Sequence, residues 1–248
     1  MKSKTLRSVV QTRNNESLNR ILQHPFIVQA HARKLTKSQS ERWILCAGRE
    51  SYSFPKILEN MVARCTNERV TEILRENLND EYGNGNPEHA HFKHYLHLLD
   101  NLGISRATFD NYREHAGIKL ALSLAYNIST QPSEGVAIGY MLVNEGMTPI
   151  TYEAARSTLT HYYPNLRTTF FDMHIQVDEH HVEELYKAVE AMPESSMEDL
   201  LFGISIGERG MAVLLDEALG MFDYYECDSQ AKACNGGCRQ SSPEPVMA

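Results

Sequence analysis

Apolar residues in this chain recur at spacings of three and four and nowhere alternate convincingly at two. That pattern buries one face of a helix and cannot bury one face of a strand. Residues 17–32 open with Leu18, Ile21 and Leu22 and, after an interruption at Pro25, continue with Phe26, Val28 and Ala30. Residues 40–65 carry Trp43, Ile44, Cys46, Ile57, Leu58, Met61 and Val62, with Pro55 marking a start or a kink. Residues 68–79 place Val70, Ile73 and Leu74 at helical spacing, and the run GNGNP at 83–87 stops them. Further helical stretches are predicted over 88–102, 105–113, 116–126, 136–159 (across Pro149), 168–192 and 196–225. No GxGxxG or Walker loop and no 20–50-residue repeat interrupts them. The expectation is an all-α, single-domain bundle over 17–226, preceded by an N-terminal extension (1–16) and followed by a tail (227–248).

A chain of 248 residues with 42% hydrophobic and 23% charged residues can fold on burial alone. A formal charge of -8 argues against binding a phosphate backbone, so no nucleic-acid partner is expected. No window holds the roughly 20 apolar residues that cross a bilayer, and the first residues contain no apolar signal-like segment, so no membrane partner and a cytoplasmic location are expected. The five cysteines are too few and too irregular for a disulfide framework, and reduced thiols follow. Cys227, Cys234 and Cys238 crowd the Gly-, Ser- and Pro-containing tail at a spacing that matches no zinc pattern. A flexible tail is the expectation there.

Three segments carry chemistry. In FFDMHIQVDEHHVEEL, His174, Asp178 and His181 project at about 0°, 40° and 340° around a helix, within one narrow stripe, whereas His180 points elsewhere. Two imidazoles and a carboxylate suit iron, manganese or zinc; calcium would want oxygen alone. A chain with 11 His and 32 acids also produces such triplets on solvated faces by chance. The second segment, NDEYGNGNPEHAH, sets Glu81 and His91 either side of a Gly-rich turn, with His89, His94 and His97 as competing candidates. The third is Glu145, a lone carboxylate after an apolar run, either buried beside a cation or solvated where the helix surfaces at Gly146. Together these supply three carboxylates and three imidazoles, the inventory of a two-metal carboxylate site. Glu88-x-x-His91 fits the paired Glu-x-x-His motif of ferritin-like proteins, but Asp178-x-x-His181 only approximates it.

With those motifs in view, the chain resembles the haem-oxygenase-like di-iron oxidase superfamily over about residues 24–225. The resemblance rests on HPFIVQAHARKLT, FPKILENMVARC, NDEYGNGNPEHAH, the EGMTP at Glu145 and above all HIQVDEHH. It implies a seven-helix bundle holding two Fe(II) ions per chain, or manganese in their place, through Glu81, His91, Glu145, His174, Asp178 and His181. It further implies O2 activation to oxidise, cleave or N-oxygenate a small substrate such as an amino acid or amine, with an external electron donor and a homodimer compatible with that role. A chlamydial branch is thought to make p-aminobenzoate from one of its own tyrosines with help from a lysine. Ile27 and Ala155 stand at those places here, so an external substrate is expected. The rival expectations are a helical interaction protein without enzymatic activity and a ferritin-like iron-handling protein.

Overall fold

The computed structural model describes residues 5–222, and every regular element in that range is a helix. The α-helices are α1 (Leu6–Leu22), α2 (Pro25–His31), α3 (Lys37–Arg64), α4 (Glu68–Glu81), α5 (His91–Leu102), α6 (Arg106–Asp110), α7 (Ala116–Thr130), α8 (Glu134–Tyr162), α9 (Thr169–Glu190) and α10 (Met197–Leu219). Single 3-10 turns lie at Pro87–His89 and Glu194–Ser196. Local chemistry sets the ends. Thr36 and Gln39 form a reciprocal capping box at the start of α3, Asn67 and Ser133 cap α4 and α8, and left-handed glycines, Gly103 and Gly220, close α5 and α10.

Ten α-helices among the described residues replace the expected seven. Pro25, at the first position of α2, separates it from α1, and α6 is little more than one turn. The first helix also starts at Leu6 rather than Ser17, capped by the Thr5 hydroxyl. Its inward stripe is partly polar: buried Asn14 donates to Tyr186 Oη at 3.1 Å and buried Ser17 donates to Glu208 at 2.7 Å. A stripe filled by amide and hydroxyl escapes a reading based on apolar spacing. Gly220 ends α10 at Leu219, short of the expected 225. The three tail cysteines lie outside the described residues, and Cys46 and Cys65 are unpaired. No helix among the described residues is long and apolar enough to cross a membrane.

The centre of the bundle is α8, buried almost all round from Gly135 to Met147. It runs against α9 and α10 and also meets α1, α2 and α3. Its approach to α10 is close because the crossing uses glycine: a Cβ on Gly203 would fall 2.1 Å from the Val136 carbonyl oxygen, and one on Gly139 2.1 Å from that of Leu200. Two buried carboxylates on α10 tie its neighbours to it. Glu208 accepts from Ser17 and, through both oxygens, from Arg20 of α1. Glu217 accepts from the backbone N–H groups of His115 and Ile118 and so caps α7, which has no side-chain cap of its own.

Because the backbone carbonyl cannot yield to an added methyl, Gly203→Ala should cost about 2–3 kcal/mol through overpacking. Gly146→Ala meets side-chain atoms alone, the Leu18 methyls at 3.2 and 3.3 Å and Asn14 Nδ2 at 3.7 Å, and should stay within about 1 kcal/mol of the parent. Urea midpoints of the two variants check the contrast.

Candidate metal centre

Helix α4 ends on Glu81, α5 begins on His91, and the chain between them is a turn that only certain residues can make. Gly83, Asn84 and Gly85 all have positive φ, at 78°, 52° and 86°. A Cβ on Gly83 would lie 2.3 Å from the Asn86 carbonyl oxygen, so glycine is required there on both counts. The reversal brings His91 Nδ1 to 2.8 Å from Glu81 Oε1, with both residues buried. On α9 the helical stripe carries His174, Asp178 and His181 inward, with 6%, 3% and 4% exposure. Glu145, 5% exposed, sits within the buried stretch of α8 rather than at a surfacing end.

The six side chains form two adjoining groups. Ligating atoms of Glu145, Asp178 and His181 lie within 4.8 Å of one another. Glu81 and His91 pair on the other side, and the His91 and His174 rings meet edge to face with centroids 4.5 Å apart. Surrounding groups orient them. His181 Nε2–H donates to Asp80 Oδ2 at 2.9 Å, which turns Nδ1 inward. His174 Nδ1–H donates to the Phe170 carbonyl at 2.7 Å, which frees Nε2. Asn77 donates to Glu145 Oε1 at 2.7 Å. Such partners fix tautomer and ring orientation in metal sites.

Beside the two groups lies a cavity of about 40 Å³, lined by Glu50, Ser51, Phe54, Glu81, Asn144, Glu145, Thr148, Tyr152, His174, Asp178 and Met211. It has room for one or two water-sized guests. Four carboxylates and no lysine or arginine line it, and the electrostatics register the imbalance. Burial, then the charge of Glu145, pushes the Asp178 carboxyl well above the usual range and that of Glu50 up to about 7. Burial opposes charge on His181, but Glu145, Asp80 and Asp178 outweigh it and carry the imidazole up to about 10. Burial and the neighbouring His91 take His174 down to about 3, leaving it a neutral donor.

These residues fit a metal ion on their own chemistry. His91 Nδ1 and His181 Nδ1 are buried and make no hydrogen bond, although each faces carboxylate oxygen: Glu81 at 2.8 Å for the first, Glu145 at 3.6 Å and Asp178 at 3.8 Å for the second. Orphaned buried imidazole nitrogens aimed at carboxylates are the donor set that a cation between them would satisfy. The competing histidines fall elsewhere. His89 and His97 are exposed, His94 is half-buried, and His180 points outward, 4.0 Å from exposed Glu76. Glu88, 68% exposed, faces Lys93, so the ferritin-like Glu-x-x-His pairing does not form. Ile27 and Ala155 are buried apolar positions.

Three residues at the centre went unmarked in the sequence. Glu50 is in helical phase with Trp43, Cys46, Ala47, Phe54 and Ile57, and a charge within an apolar stripe is the signal that could have found it. Asn77 lies one turn before Glu81 on the same face of α4. Asp80 carries no such mark; its role appears only once α9 is packed against α4.

The same architecture occurs in solved structures that share little sequence with this chain. A domain of unknown function with a heme oxygenase-like fold from Shewanella denitrificans aligns with a TM-score of 0.73 at 14% identity, covering 93% of this chain and 98% of that one. A CADD-like protein of unknown function from Nostoc punctiforme aligns at 0.70 and 14% identity, over 85% and 97% of the two chains. A TenA homologue from Pseudomonas syringae gives 0.68 and 13% identity, over 85% and 91%. At these identities the likeness is one of fold: all-helical and haem-oxygenase-like. No curated protein is detectably similar in sequence. The model of one family, described as iron-containing redox enzyme, matches residues 50–208, a span that includes all six candidate ligands. With its fold shared and most of its length matched, the chain belongs to this family of iron-containing redox enzymes.

Proposed function

We propose that this protein is a non-haem di-iron oxidase or oxygenase. It would hold one ion among Glu81, His91 and His174 and a second among Glu145, Asp178 and His181, and use O2 to oxidise a small organic substrate such as an amino acid or amine. The observation that carries this reading is the pair of buried, hydrogen-bond-free nitrogens, His91 Nδ1 and His181 Nδ1, each turned toward carboxylates inside the bundle. Iron bound there supplies the O2 and redox chemistry that the side chains lack. The protein does the rest. Asp80, Asn77 and the Phe170 carbonyl hold His181, Glu145 and His174 in ligating orientation. Phe54, Tyr152 and Met211 supply an apolar wall that limits water. An organic substrate would need that wall to open, because the cavity itself admits little more than water.

Anaerobic Fe(II) loading followed by metal analysis tests the reading: about two irons per chain are expected, as in two-metal carboxylate proteins, with O2 consumed on mixing. Stoichiometric iron absent from the purified and loaded protein would overturn it. Asp178→Ala and His181→Ala should each lose at least one iron and all O2 consumption, whereas His180→Ala should keep both.

Asp80 touches no proposed ion, so Asp80→Ala should still fill at saturating Fe(II) but bind about 10–100-fold more weakly, the usual effect of removing a partner that orients a ligand. Equilibrium titration against a competing chelator measures it.

Glu50 gives a pH-dependent expectation for the metal-free protein. Its folded pKa is raised to about 7, so the wild type loses stability as pH rises from the unfolded carboxylate range, about 4.3, to about 7. Glu50→Gln removes that loss. The variant should melt higher than the wild type at pH 8, and the gain should shrink as pH falls through the same window.

A further inference from the structure

Seven of the eleven histidines, His89, His91, His94, His97, His174, His180 and His181, gather around one region of the molecule, and only three of them belong to the proposed centre. Of the other four, three line an open basin of about 660 Å³ that shares no lining residue with the small cavity. Its walls are His89, His94 and His180 with Asn84, Met173 and Gln176, and its floor includes Asp80 and His91. The same residues thus face both ways. His91 lines the basin and lies against Glu81, and Asp80 lines it and holds His181. Through these two contacts the basin abuts the buried cluster.

The chemistry of the lining is selective. Every polar side chain in it is a type that binds divalent first-row metals or their hydration water, and no lysine or arginine takes part. Carboxylates stand nearby: Glu76 lies 4.0 Å from His180, and Asp80 is 23% exposed. The molecule as a whole carries a charge of -8. A cation is therefore drawn toward this surface and meets exchangeable ligands once there. The basin imidazoles are not drawn together: His89 and His180 are exposed, His94 is half-buried, and no three ligands of the basin form a preassembled group among the described residues. Loose spacing suits a passage, where binding strong enough to collect an ion and weak enough to release it is what permits transfer.

We infer that this basin is the metal-entry vestibule of the protein: His89, His94 and His180 capture a divalent cation and pass it inward past Asp80 and His91. The inference rests on the di-iron reading above. It divides the two openings by chemistry, with the histidine-rich side serving the ion and the small cavity, walled in part by Phe54, Tyr152 and Met211, serving the organic substrate.

The single tryptophan provides the assay. Trp43 is buried and packs edge to face on Tyr152, with ring centroids 5.3 Å apart, and Tyr152 lies 5.2 Å from the His174 ring. Co(II) entering the centre should quench Trp43 fluorescence. The experiment mixes metal-free full-length protein with limiting Co(II) in a stopped-flow instrument and counts bound cobalt at the end point. The triple variant His89→Gln, His94→Gln, His180→Gln should load at least about fivefold more slowly, in line with what local focusing of a cation contributes to association, yet reach the wild-type cobalt content. Exposed His31, outside the basin, serves as the control, and His31→Gln should load at the wild-type rate. Unchanged kinetics in the triple variant with full final occupancy would overturn the vestibule and leave the di-iron reading standing. A lower final cobalt content would also overturn it, because the basin histidines would then be resident ligands. A wild-type protein that takes up no cobalt and no iron would remove the di-iron reading and the vestibule together.

Discussion

Carboxylates at the centre of a helical bundle are the constraint on which the rest of this structure depends. Glu145 occupies α8, a helix buried on nearly all sides, and Glu50, Glu81 and Asp178 converge on the same cavity. Left to themselves, four desolvated negative charges would force the helices apart or bind protons. The side chains supply only part of the answer. Asn77 offers one amide hydrogen bond, His181 is driven strongly toward its charged form, and His174 is held neutral by its burial. A cluster arranged in this way is short of positive charge by its own composition, and a divalent cation is the simplest group that restores the balance.

Holding that cluster together demands rigidity in some places and tolerance in others. The α8–α10 crossing is rigid, because glycines at 139 and 203 let the two backbones approach without intervening side chains. The turn between α4 and α5 is rigid for a different reason: three consecutive positive-φ residues fix the angle at which Glu81 and His91 face each other. Prolines mark where regular helix gives way. Pro149 withholds the N–H that would bond the carbonyl of Glu145, and Pro55 does the same to Ser51, so α8 and α3, two of the helices lining the cavity, each lack a backbone bond beside it. Helices relieved of a bond at such points can adapt to what the cavity holds.

Much of this was legible in the sequence, and what escaped did so for identifiable reasons. The periodicity of α3, α4, α8 and α9 announced helices because their inward stripes are apolar. Helix α1 hid its first eleven residues because Asn14 and Ser17 fill its stripe with polar groups that find partners on α9 and α10. Convergence of His174, Asp178 and His181 followed from helical angle alone, since all three lie on one element. The facing of Glu81 and His91 could only be suspected from the Gly-rich turn, because spacing alone did not separate His91 from His89, His94 or His97; burial separates them in the structure. Asp80 was illegible in principle. Its hydrogen bond to His181 joins residues 101 apart in the chain, and no local pattern encodes a contact that depends on how α9 lies against α4.

Neighbouring residues on α9 show how one helix can serve two environments. His180 and His181 are adjacent in sequence, yet one step of about 100° sends the first into solvent and the second into the core. The same rotation separates Gln176 and Met173, which line the outer basin, from His174 and Asp178, which line the inner cavity. Helix α9 is thus a partition with side chains of metal-ligating type on both faces, and α4 matches it, with Asp80 on the basin floor and Glu81 in the cavity wall. Because each helix fixes its inner and outer side chains on one rigid backbone, any movement that brings an ion from His180 toward His181 need not break a helix. Asp80 and His91, which line the basin and touch the buried cluster, are the side chains such a movement would pass.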